Sequence, residues 1–367
     1  MHNTSRRRFI TQTATIAAAM PLLASSINRA MAAGAQKKLG FALCGLGNLS
    51  THQLAPAFMN TQYARLAGII TGTPSKAAEW SAKYNIPKRN IYNYDTMDQL
   101  ANNPDIDVVY VVTPNALHAQ HTIAAAKAGK HVFCEKPMEV SVEKCQQMIA
   151  ACKSAQRMLG IGYRCQFEPH HLECMRIARD KDFGDLKLIN AGFGFGIGDP
   201  NQWRLQRALS GGGALMDVGI YALQTTRLLT GEEPVSVIAT ETKTDLVKFK
   251  EVDESVAFQL KFPSGVIGNC TTTYKVNGLQ GFKAFAENGW FGLDPAYYYG
   301  GPQGQRSDGK PLQFANVDQF ATEIDNFSQC IINNKPTKVP GEEGMRDVRI
   351  MMAIYESIKT GRAVSLV

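Results

Sequence analysis

The chain has 367 residues, of which 44% are hydrophobic and 19% are charged, proportions typical of a soluble globular protein. This length allows two domains of about 150 residues each, and no run of about 18 apolar residues predicts a membrane-spanning helix. The formal net charge is +7, which on its own is compatible with an acidic partner such as nucleic acid.

The first 33 residues have the organisation of an export signal. They contain no Asp or Glu; a head with three consecutive arginines, Ser5–Ile10, precedes an apolar stretch, Ile16–Ala24. Small residues at Ala30–Ala32 then form an A-x-A cleavage pattern. The head resembles the twin-arginine signal, which implies export of a folded protein to the periplasm. An amphipathic N-terminus without a targeting role is the alternative.

Most of the net charge lies in this segment. It holds four of the 39 basic residues, so the remainder has 35 basic against 32 acidic residues and a net charge of +3. No Lys- or Arg-rich run stands out in the remainder. We therefore expect neither nucleic acid nor, after signal removal, a membrane as a partner.

The eight cysteines form neither a C-x-x-C pair nor a Cys/His cluster with zinc spacing. Several of them lie in apolar runs, where Cys behaves as a small hydrophobic residue. We therefore predict no metal site and no structural disulfide.

Residues 36–162 alternate short apolar runs, which predict strands, with longer helical periods. The predicted strands are Leu39–Cys44, Ala64–Thr71, Val108–Val112, His131–Cys134 and Met158–Gly162. The predicted helices are Leu54–Met59, Ser75–Tyr84, Leu117–Ala128 and Val142–Ala155. This alternation predicts an α/β domain with a doubly wound parallel sheet of the Rossmann type.

Residues 163–367 have a different order of elements. Predicted helices are Pro169–Arg179, Gly213–Leu229, Asp318–Asn333 and Met345–Thr360, and predicted strands are Leu186–Phe195, Val235–Thr242, Ser255–Phe262, Val266–Tyr274 and Phe282–Ala286. Strands in series predict an α+β domain with an open, mainly antiparallel sheet. We assign substrate binding and oligomerisation to this domain, and we expect a dimer or tetramer because an open sheet commonly buries one face between subunits.

A glycine-rich loop follows the first predicted strand directly. It consists of Gly45, Leu46, Gly47, Asn48, Leu49 and Ser50. The first glycine permits a tight turn, and the second lets the backbone approach a pyrophosphate at the helix N-terminus. Because the loop joins a strand to a helix, it predicts dinucleotide binding.

The end of the second strand indicates which nicotinamide cofactor binds. An NAD site has an Asp or Glu there for the ribose 2′-hydroxyl, whereas this segment has Thr71, Gly72, Thr73 and Lys76 and no acidic residue. A lysine attracts the 2′-phosphate that a carboxylate would repel. We therefore predict NADP, although a simple turn before the next helix is also compatible with these residues.

Two further motifs lie at strand ends. Thr113–His118 follows one predicted strand, and Glu135-Lys136-Pro137 follows the next, which places Lys136 at the edge of the sheet where ligands bind. Together they resemble the Gfo/Idh/MocA oxidoreductase family. The similarity is closest to the glucose–fructose and aldose–aldose oxidoreductases of this family, and it extends over nearly the whole chain after residue 33. The segments that carry it are Gly162–Cys165, Gln202–Leu205, Gly211–Tyr221, Ile332–Pro336 and Pro340–Met345.

The resemblance implies roles for the matching residues. Lys136 would contact the substrate and the nicotinamide ribose, Tyr221 would exchange the proton of the sugar hydroxyl, and Asp217 would orient the sugar. Asp217 and Tyr221 are four residues apart and can face one cleft, and we expect a cation such as Lys136 to lower the pKa of Tyr221 from about 10. The other expected cofactor contacts are Tyr94, Thr113, Pro114, Asn115, Leu117, His118, Glu135, Arg164, Trp203 and Arg204. A cis peptide bond before Pro137 is also implied.

Some alternatives stay open. Asp217 beneath the glycine-rich turn and Trp203 between the domains are each compatible with a purely structural role. Tyr297–Tyr299 fits either the substrate mouth or an exposed interface. The glucose–fructose type carries a long N-terminal arm around its cofactor, which the short segment between the predicted cleavage site and the first strand does not match.

An exported dehydrogenase has no pool of NADP to exchange with. We therefore predict an enzyme that oxidises an aldose to a lactone and then reduces a second sugar to an alditol with the same tightly bound NADP(H), in a ping-pong cycle. The alternatives are a plain NADP-dependent sugar dehydrogenase with exchangeable cofactor, a nicotinamide-dependent glycosidase, and a non-catalytic sugar sensor.

Overall fold

Apolar runs at regular spacing form a six-stranded parallel sheet in the computed structural model, which describes residues 37–367. In chain order the strands are β1 (Leu39–Cys44), β2 (Ala64–Ile70), β3 (Ile91–Tyr92), β4 (Val108–Val111), β5 (His131–Glu135) and β6 (Leu159–Gly162). Their spatial order is β3-β2-β1-β4-β5-β6, and neighbours are parallel. This confirms the predicted doubly wound sheet, whose strand order reverses between β1 and β4. The predicted export signal at residues 1–33 lies outside the described residues.

The helices of this half follow from local sequence. The predicted helix Leu54–Met59 is present only as the short helix Ala55–Ala57, and the longer helices are Pro74–Tyr84, His118–Lys127 and Val142–Ser154. The last begins at Ser141, whose side chain accepts from the backbone nitrogen of Lys144 and so caps the helix. Strand β4 is buried along its whole length, as expected of a parallel strand covered on both faces.

The second half forms an eight-stranded mixed sheet. Its strands are β7 (Leu186–Gly194), β8 (Ser236–Thr242), β9 (Ser255–Lys261), β10 (Ile267–Thr273), β11 (Gln280–Ala286), β12 (Gly289–Leu293), β13 (Gly304–Arg306) and β14 (Val364–Ser365). The order is β13-β12-β11-β7-β10-β9-β8-β14, in which only β7 and β10 pair in parallel. The predicted open, mainly antiparallel sheet is confirmed. Its helices are Pro169–Arg179, Ile220–Thr230, Gln319–Ile332 and Gly341–Thr360.

The helix Gln319–Ile332 ties the second half of the chain back to the parallel sheet. The ring of Phe327 packs on Phe133 of β5, with centroids 4.8 Å apart. The Asp325 carboxylate accepts from the backbone nitrogens of Gln62 and Tyr63, each at 2.8 Å. Leu39–Val367 thus form one compact unit, and the domain division between residues 36–162 and 163–367 stays a prediction.

Sequence patterns missed the short elements. Strands β3, β12, β13 and β14 have two to five residues each, too few for a period of two to be recognised, and they form because a neighbouring strand is already in place. The predicted helix Gly213–Leu229 begins instead with a π-helical turn, Leu215–Gly219. A second π-helical turn, Ser50–Leu54, follows the glycine loop. No helix in residues 37–367 has the length and apolar character needed to cross a membrane.

Replacement of Leu43 by alanine tests the parallel core. Leu43 is fully buried in β1, so Leu43→Ala is expected to lower the free energy of unfolding by about 2–5 kcal/mol. Leu246→Ala, at a side chain that is 70% exposed, is the matched control and should change it by less than about 0.5 kcal/mol. Urea denaturation followed by circular dichroism measures both, and equal effects would contradict this core.

Candidate functional site

The carboxyl ends of β1, β4 and β5 open onto a cavity of about 740 Å³, which the second sheet closes from the other side. This volume lies in the range of sites for small molecules and cofactors. The predicted site residues on its wall are Gly47, Asn48, Leu49, Thr113, Asn115, His118, Glu135, Lys136, Arg164, Trp203, Arg204, Asp217 and Tyr221. The predicted residues that are not on this wall are Gly45, Leu46, Thr71, Gly72, Thr73, Lys76, Tyr94, Pro114 and Leu117.

The glycine loop has the backbone that a pyrophosphate requires. Gly45 has a φ of +100°, which L side chains rarely adopt, and the Ser50 hydroxyl donates to its carbonyl oxygen at 2.6 Å. A Cβ built on Gly47 would meet no atom within 4 Å, so the loop presents open space at this point. The residues present therefore fit a dinucleotide approaching the first helical turn.

The loop after β2 offers hydroxyls and a cation where an NAD site has a carboxylate. Lys76 Nζ donates to the carbonyl oxygen of Leu46 at 3.1 Å, which holds the ammonium beside the glycine loop. The backbone nitrogen of Thr73 donates to Thr71 Oγ1 at 3.2 Å. This arrangement can bind a 2′-phosphate through an ammonium group and hydroxyls.

Two histidines brace the loops that follow β4 and β5. The ring nitrogens of His118 lie 2.8 Å from the carbonyl oxygen of Thr113 and 3.0 Å from that of Pro137, and burial lowers the pKa of His118. His121 lies 3.0 Å from Thr113 Oγ1 and stacks on Tyr94, with ring centroids 4.7 Å apart. His118, predicted to line the nicotinamide ribose, therefore also fixes the two loops to each other.

Residues from the second half close the cavity. Asn115 Nδ2 donates to the carbonyl oxygen of Ser210 at 2.8 Å and so ties the loop after β4 to the segment before the Gly211–Gly213 turn. The Arg204 guanidinium lies 4.6 Å from the centroid of Trp203. Trp203 thus packs against an arginine of the site, and its direct role in binding stays a prediction.

The Asp217 carboxylate has three partners. Its side chain is 17% exposed. Its Oδ2 accepts from Arg204 Nε at 3.0 Å and from the Tyr274 hydroxyl at 2.9 Å. Lys136 Nζ lies 3.7 Å from its Oδ1 and donates to its backbone oxygen at 2.7 Å. Burial raises the pKa of Asp217, but the charges of Arg204 and Lys136 and the Tyr274 hydrogen bond outweigh it, so the pKa lies below its usual value. Asp217 is therefore ionised at neutral pH.

Tyr221 lies between two cations. Lys136 Nζ is 4.8 Å, and the Arg164 guanidinium carbon 5.1 Å, from its ring centroid. Burial raises the pKa of Tyr221, and Arg164, which lowers it, does not cancel that effect. The expectation of a lowered pKa is therefore wrong, because the fold packs this ring against Phe193 and Tyr297, each with its centroid 5.3 Å away.

Contacts between distant residues of the site had no signal in the sequence. Arg164 donates to the backbone oxygen of Tyr297 at 2.7 Å and to the side chain of Gln319, and its guanidinium lies 4.5 Å from the Tyr299 ring. Tyr274, which binds Asp217, was counted only as a strand residue. The run Tyr297–Tyr299, left open between substrate mouth and interface, lines the cavity.

The structure also describes the Lys136–Pro137 bond, the cysteines and the grouping of side chains that bind metals. The Lys136–Pro137 peptide bond is cis, as the resemblance implied. All eight cysteines are free, seven of them buried. Within residues 37–367, no three or more His, Cys, Asp or Glu side chains are grouped so that they could hold a metal ion.

Family models of one group of oxidoreductases match most of the chain. A model described as an oxidoreductase family with an NAD-binding Rossmann fold matches residues 39–163. A GFO/IDH/MocA C-terminal domain matches residues 171–292, and an oxidoreductase-family C-terminal alpha/beta domain matches residues 302–366. Together these models cover both sheets of the fold.

Several relatives are named as dehydrogenases or reductases of sugars or sugar derivatives. D-xylose 1-dehydrogenase [NADP(+)] of Haloarcula marismortui is 31% identical over 89% of this chain and 92% of its own. 1,5-anhydro-D-fructose reductase of Ensifer adhaerens is 25% identical over 82% of this chain and 91% of its own. The solved structure of aldose–aldose oxidoreductase from Caulobacter crescentus, in complex with glycerol, is 44% identical, with a TM-score of 0.87 over 90% of this chain and 100% of that one.

Replacement of Lys76 tests the choice between the two nicotinamide cofactors. Lys76→Ala is expected to weaken NADP binding roughly tenfold, because a charge-assisted hydrogen bond to phosphate is lost, and to leave NAD binding unchanged. Lys83→Ala, in the last turn of the same helix, is the matched control and should alter neither affinity. Titration calorimetry on nucleotide-free protein gives both constants, and an equal loss for NADP and NAD would contradict this site.

Proposed function

The chain belongs to the Gfo/Idh/MocA family of oxidoreductases, and we propose that it oxidises an aldose to a lactone and reduces a second sugar to an alditol with one tightly bound NADP(H). It is an NADP-dependent oxidoreductase that acts on CH–OH groups of sugars. The observation that carries the proposal is the cluster of Lys136, Asp217 and Tyr221 beside the glycine loop, in one cavity. The 44% identity to an aldose–aldose oxidoreductase supports the sugar pair.

The chain's own residues bind both reactants in this cleft. When bound, NADP supplies the hydride acceptor for the oxidation and, in reduced form, the hydride donor for the reduction. The glycine loop and Lys76 would hold its phosphates, and Lys136 and Glu135 line the cavity. Asp217 Oδ2 is occupied by Arg204 and Tyr274, which leaves Oδ1 to accept from a sugar hydroxyl.

Tyr221 handles the proton. Because burial raises its pKa, Tyr221 is a neutral phenol at neutral pH and can donate a proton to the carbonyl oxygen of the sugar being reduced. In the oxidation Tyr221 acts as the phenolate and accepts the proton of the sugar hydroxyl. The preceding reduction leaves it in this form, because its proton has passed to the alditol; in the first turnover the proton goes to solvent. Lys136 and Arg164, over the faces of the ring, stabilise the phenolate that this requires.

Export sets the mode of cofactor use in the proposal. The predicted twin-arginine signal would carry the folded protein, with its nucleotide, to the periplasm, where no NADP pool exists. Each oxidation must then be followed by a reduction in the same site, which gives ping-pong kinetics. A plain NADP-dependent sugar dehydrogenase remains the second candidate, because the Haloarcula marismortui relative is one.

A dimer or tetramer is part of the same proposal. One face of the eight-stranded sheet is exposed along β8 and β9. The outward side chains on it include Ile238, Ala257 and Gln259. A second copy is the occupant that an open sheet of this kind commonly has. Native mass spectrometry measures the oligomer directly.

Incubation without added cofactor tests the self-recycling cycle. The purified protein, given an aldose alone, is expected to form the lactone-derived acid and an alditol in equal amounts, and to release nucleotide on denaturation. Turnover only with added NADP would indicate the plain dehydrogenase. No turnover without cofactor, together with no released nucleotide, would contradict the proposal.

Replacement of Tyr221 tests the proton transfer. Tyr221→Phe is expected to lower kcat by about 10²–10⁴-fold, as loss of a general acid–base does, while the bound nucleotide stays in place. Because the pKa of Tyr221 is raised, the oxidative half-reaction of the unchanged protein should quicken as the pH rises into the alkaline range. Tyr84→Phe is the control and should match the unchanged protein. Full turnover in Tyr221→Phe would overturn the assignment.

A further inference from the structure

Behind the Glu135-Lys136-Pro137 motif, three polar side chains form a buried chain that the mechanism does not use. The Tyr110 hydroxyl lies 2.7 Å from Glu135 Oε1 and 3.1 Å from Glu323 Oε1. Tyr110 and Glu323 are fully buried, and Glu135 is 7% exposed. Glu323 comes from the helix Gln319–Ile332 and Tyr110 from β4, so three separate elements meet at this point.

The hydrogen atoms shared among Tyr110, Glu135 and Glu323 can be counted. A phenol has one hydrogen and can donate to one acceptor only. If both carboxyl groups were ionised, one of the two short contacts would set a carboxylate oxygen against an oxygen lone pair of Tyr110. Both contacts are hydrogen bonds only if one carboxyl group carries a proton and donates it to the phenol oxygen.

The surroundings decide which carboxyl group holds the proton. Glu135 Oε2 accepts from the backbone nitrogen of Lys136 at 3.3 Å. Burial raises the pKa of Glu135, while the Tyr110 hydrogen bond and the charges of Lys136 and Arg164 oppose that rise and favour its ionised form over that of Glu323. Glu323 Oε2, by contrast, has no hydrogen-bond partner among the described residues. An ionised carboxylate with such an oxygen is costly in the interior, whereas a neutral acid group is tolerated.

We propose that Glu323 is a carboxylic acid in the working enzyme and that, through Tyr110, it holds Glu135 ionised and oriented against the backbone of Lys136. The bonds then run from Glu323 Oε1–H to the Tyr110 oxygen and from the Tyr110 hydroxyl to Glu135 Oε1. Glu323 is thus a positioning residue for the catalytic lysine. Its protonation stands on its own, whereas its effect on turnover rests on the proposed function.

The other charged and titratable groups around Glu323 agree with this assignment. Burial and the negative charge of Glu135 raise the pKa of Glu323 well above its usual range, and Cys165 acts in the same direction. Tyr110 and Arg164 lower it without cancelling the rise. A carboxyl group whose pKa is raised keeps its proton as the pH increases through neutrality. The hydrogen bonds from Glu323 to Tyr110 and from Tyr110 to Glu135 therefore persist at neutral pH.

Infrared spectroscopy of the purified holoenzyme tests the protonation. The spectrum at neutral pH should contain the carbonyl stretch of a neutral carboxylic acid, and Glu323→Gln should remove it. Glu287→Gln is the control, because Glu287 is an exposed, ionised partner of Lys187, and it should remove a carboxylate band instead. If Glu323→Gln removes a carboxylate band, or no acid band is present, the proposal is overturned.

Turnover of sugar tests the positioning role. Glu323→Gln retains a donor for the Tyr110 oxygen and should keep most of kcat, whereas Glu323→Ala should lower kcat about tenfold through the unpaired phenol oxygen, with little change in KM. In a Tyr110→Phe background, Glu323→Ala should have no further effect on kcat. Equal losses in the Gln and Ala variants would overturn the role.

These two tests separate the possible failures. If Glu323→Ala does not fold, the Gln variant and the infrared band still decide the protonation. If the unchanged protein turns over no sugar, the proposed function has failed, while the infrared result still stands for the chain of three groups.

Discussion

The Asp217 carboxylate is the contact on which the cleft depends. It lies in the π-helical turn of the second half, but its partner Lys136 comes from the loop after β5, 81 residues earlier. Removing Asp217 would leave the cations of Lys136 and Arg204 without this carboxylate in a largely desolvated site, at a cost of about 3–5 kcal/mol. The same contact therefore fixes the position of Lys136 and keeps Asp217 ionised. It also links the two sheets that enclose the cavity.

Cations lie in two places around the cleft. Lys76 lies beside the glycine loop, where a phosphate would bind, and Arg164, Arg204 and Lys136 line the cavity together with Glu135 and Asp217. Walls of low dielectric strengthen these interactions over what water would allow. Such a cleft suits an anionic dinucleotide at one end and, at the other, a hydroxyl group that must give up its proton beside paired charges.

The sequence was most informative where chemistry and local geometry coincide. Buried parallel strands require continuous apolar runs, and a glycine loop must follow β1 for the backbone to approach a phosphate, so both could be predicted. The partners of Asp217 could not, because Tyr274 joins it across 57 residues. Glu323 reaches Tyr110 across 213 residues, and nothing in a helix with an apolar face marks one glutamate as buried. The raised pKa of Tyr221 likewise depends on rings that only tertiary packing brings together.

The raised pKa of Tyr221 bears on which kind of cycle the site suits. In a plain dehydrogenase, each oxidation releases a proton that must reach solvent before the next turnover. In the proposed cycle, the reduction that follows consumes a proton, so oxidation and reduction together leave the proton count of the protein unchanged. A tyrosine whose raised pKa keeps its proton at neutral pH is well placed to store one between two half-reactions. The desolvation that keeps Tyr221 protonated at neutral pH is thus compatible with a closed two-sugar cycle, because the proton taken from the first sugar can be returned to the second.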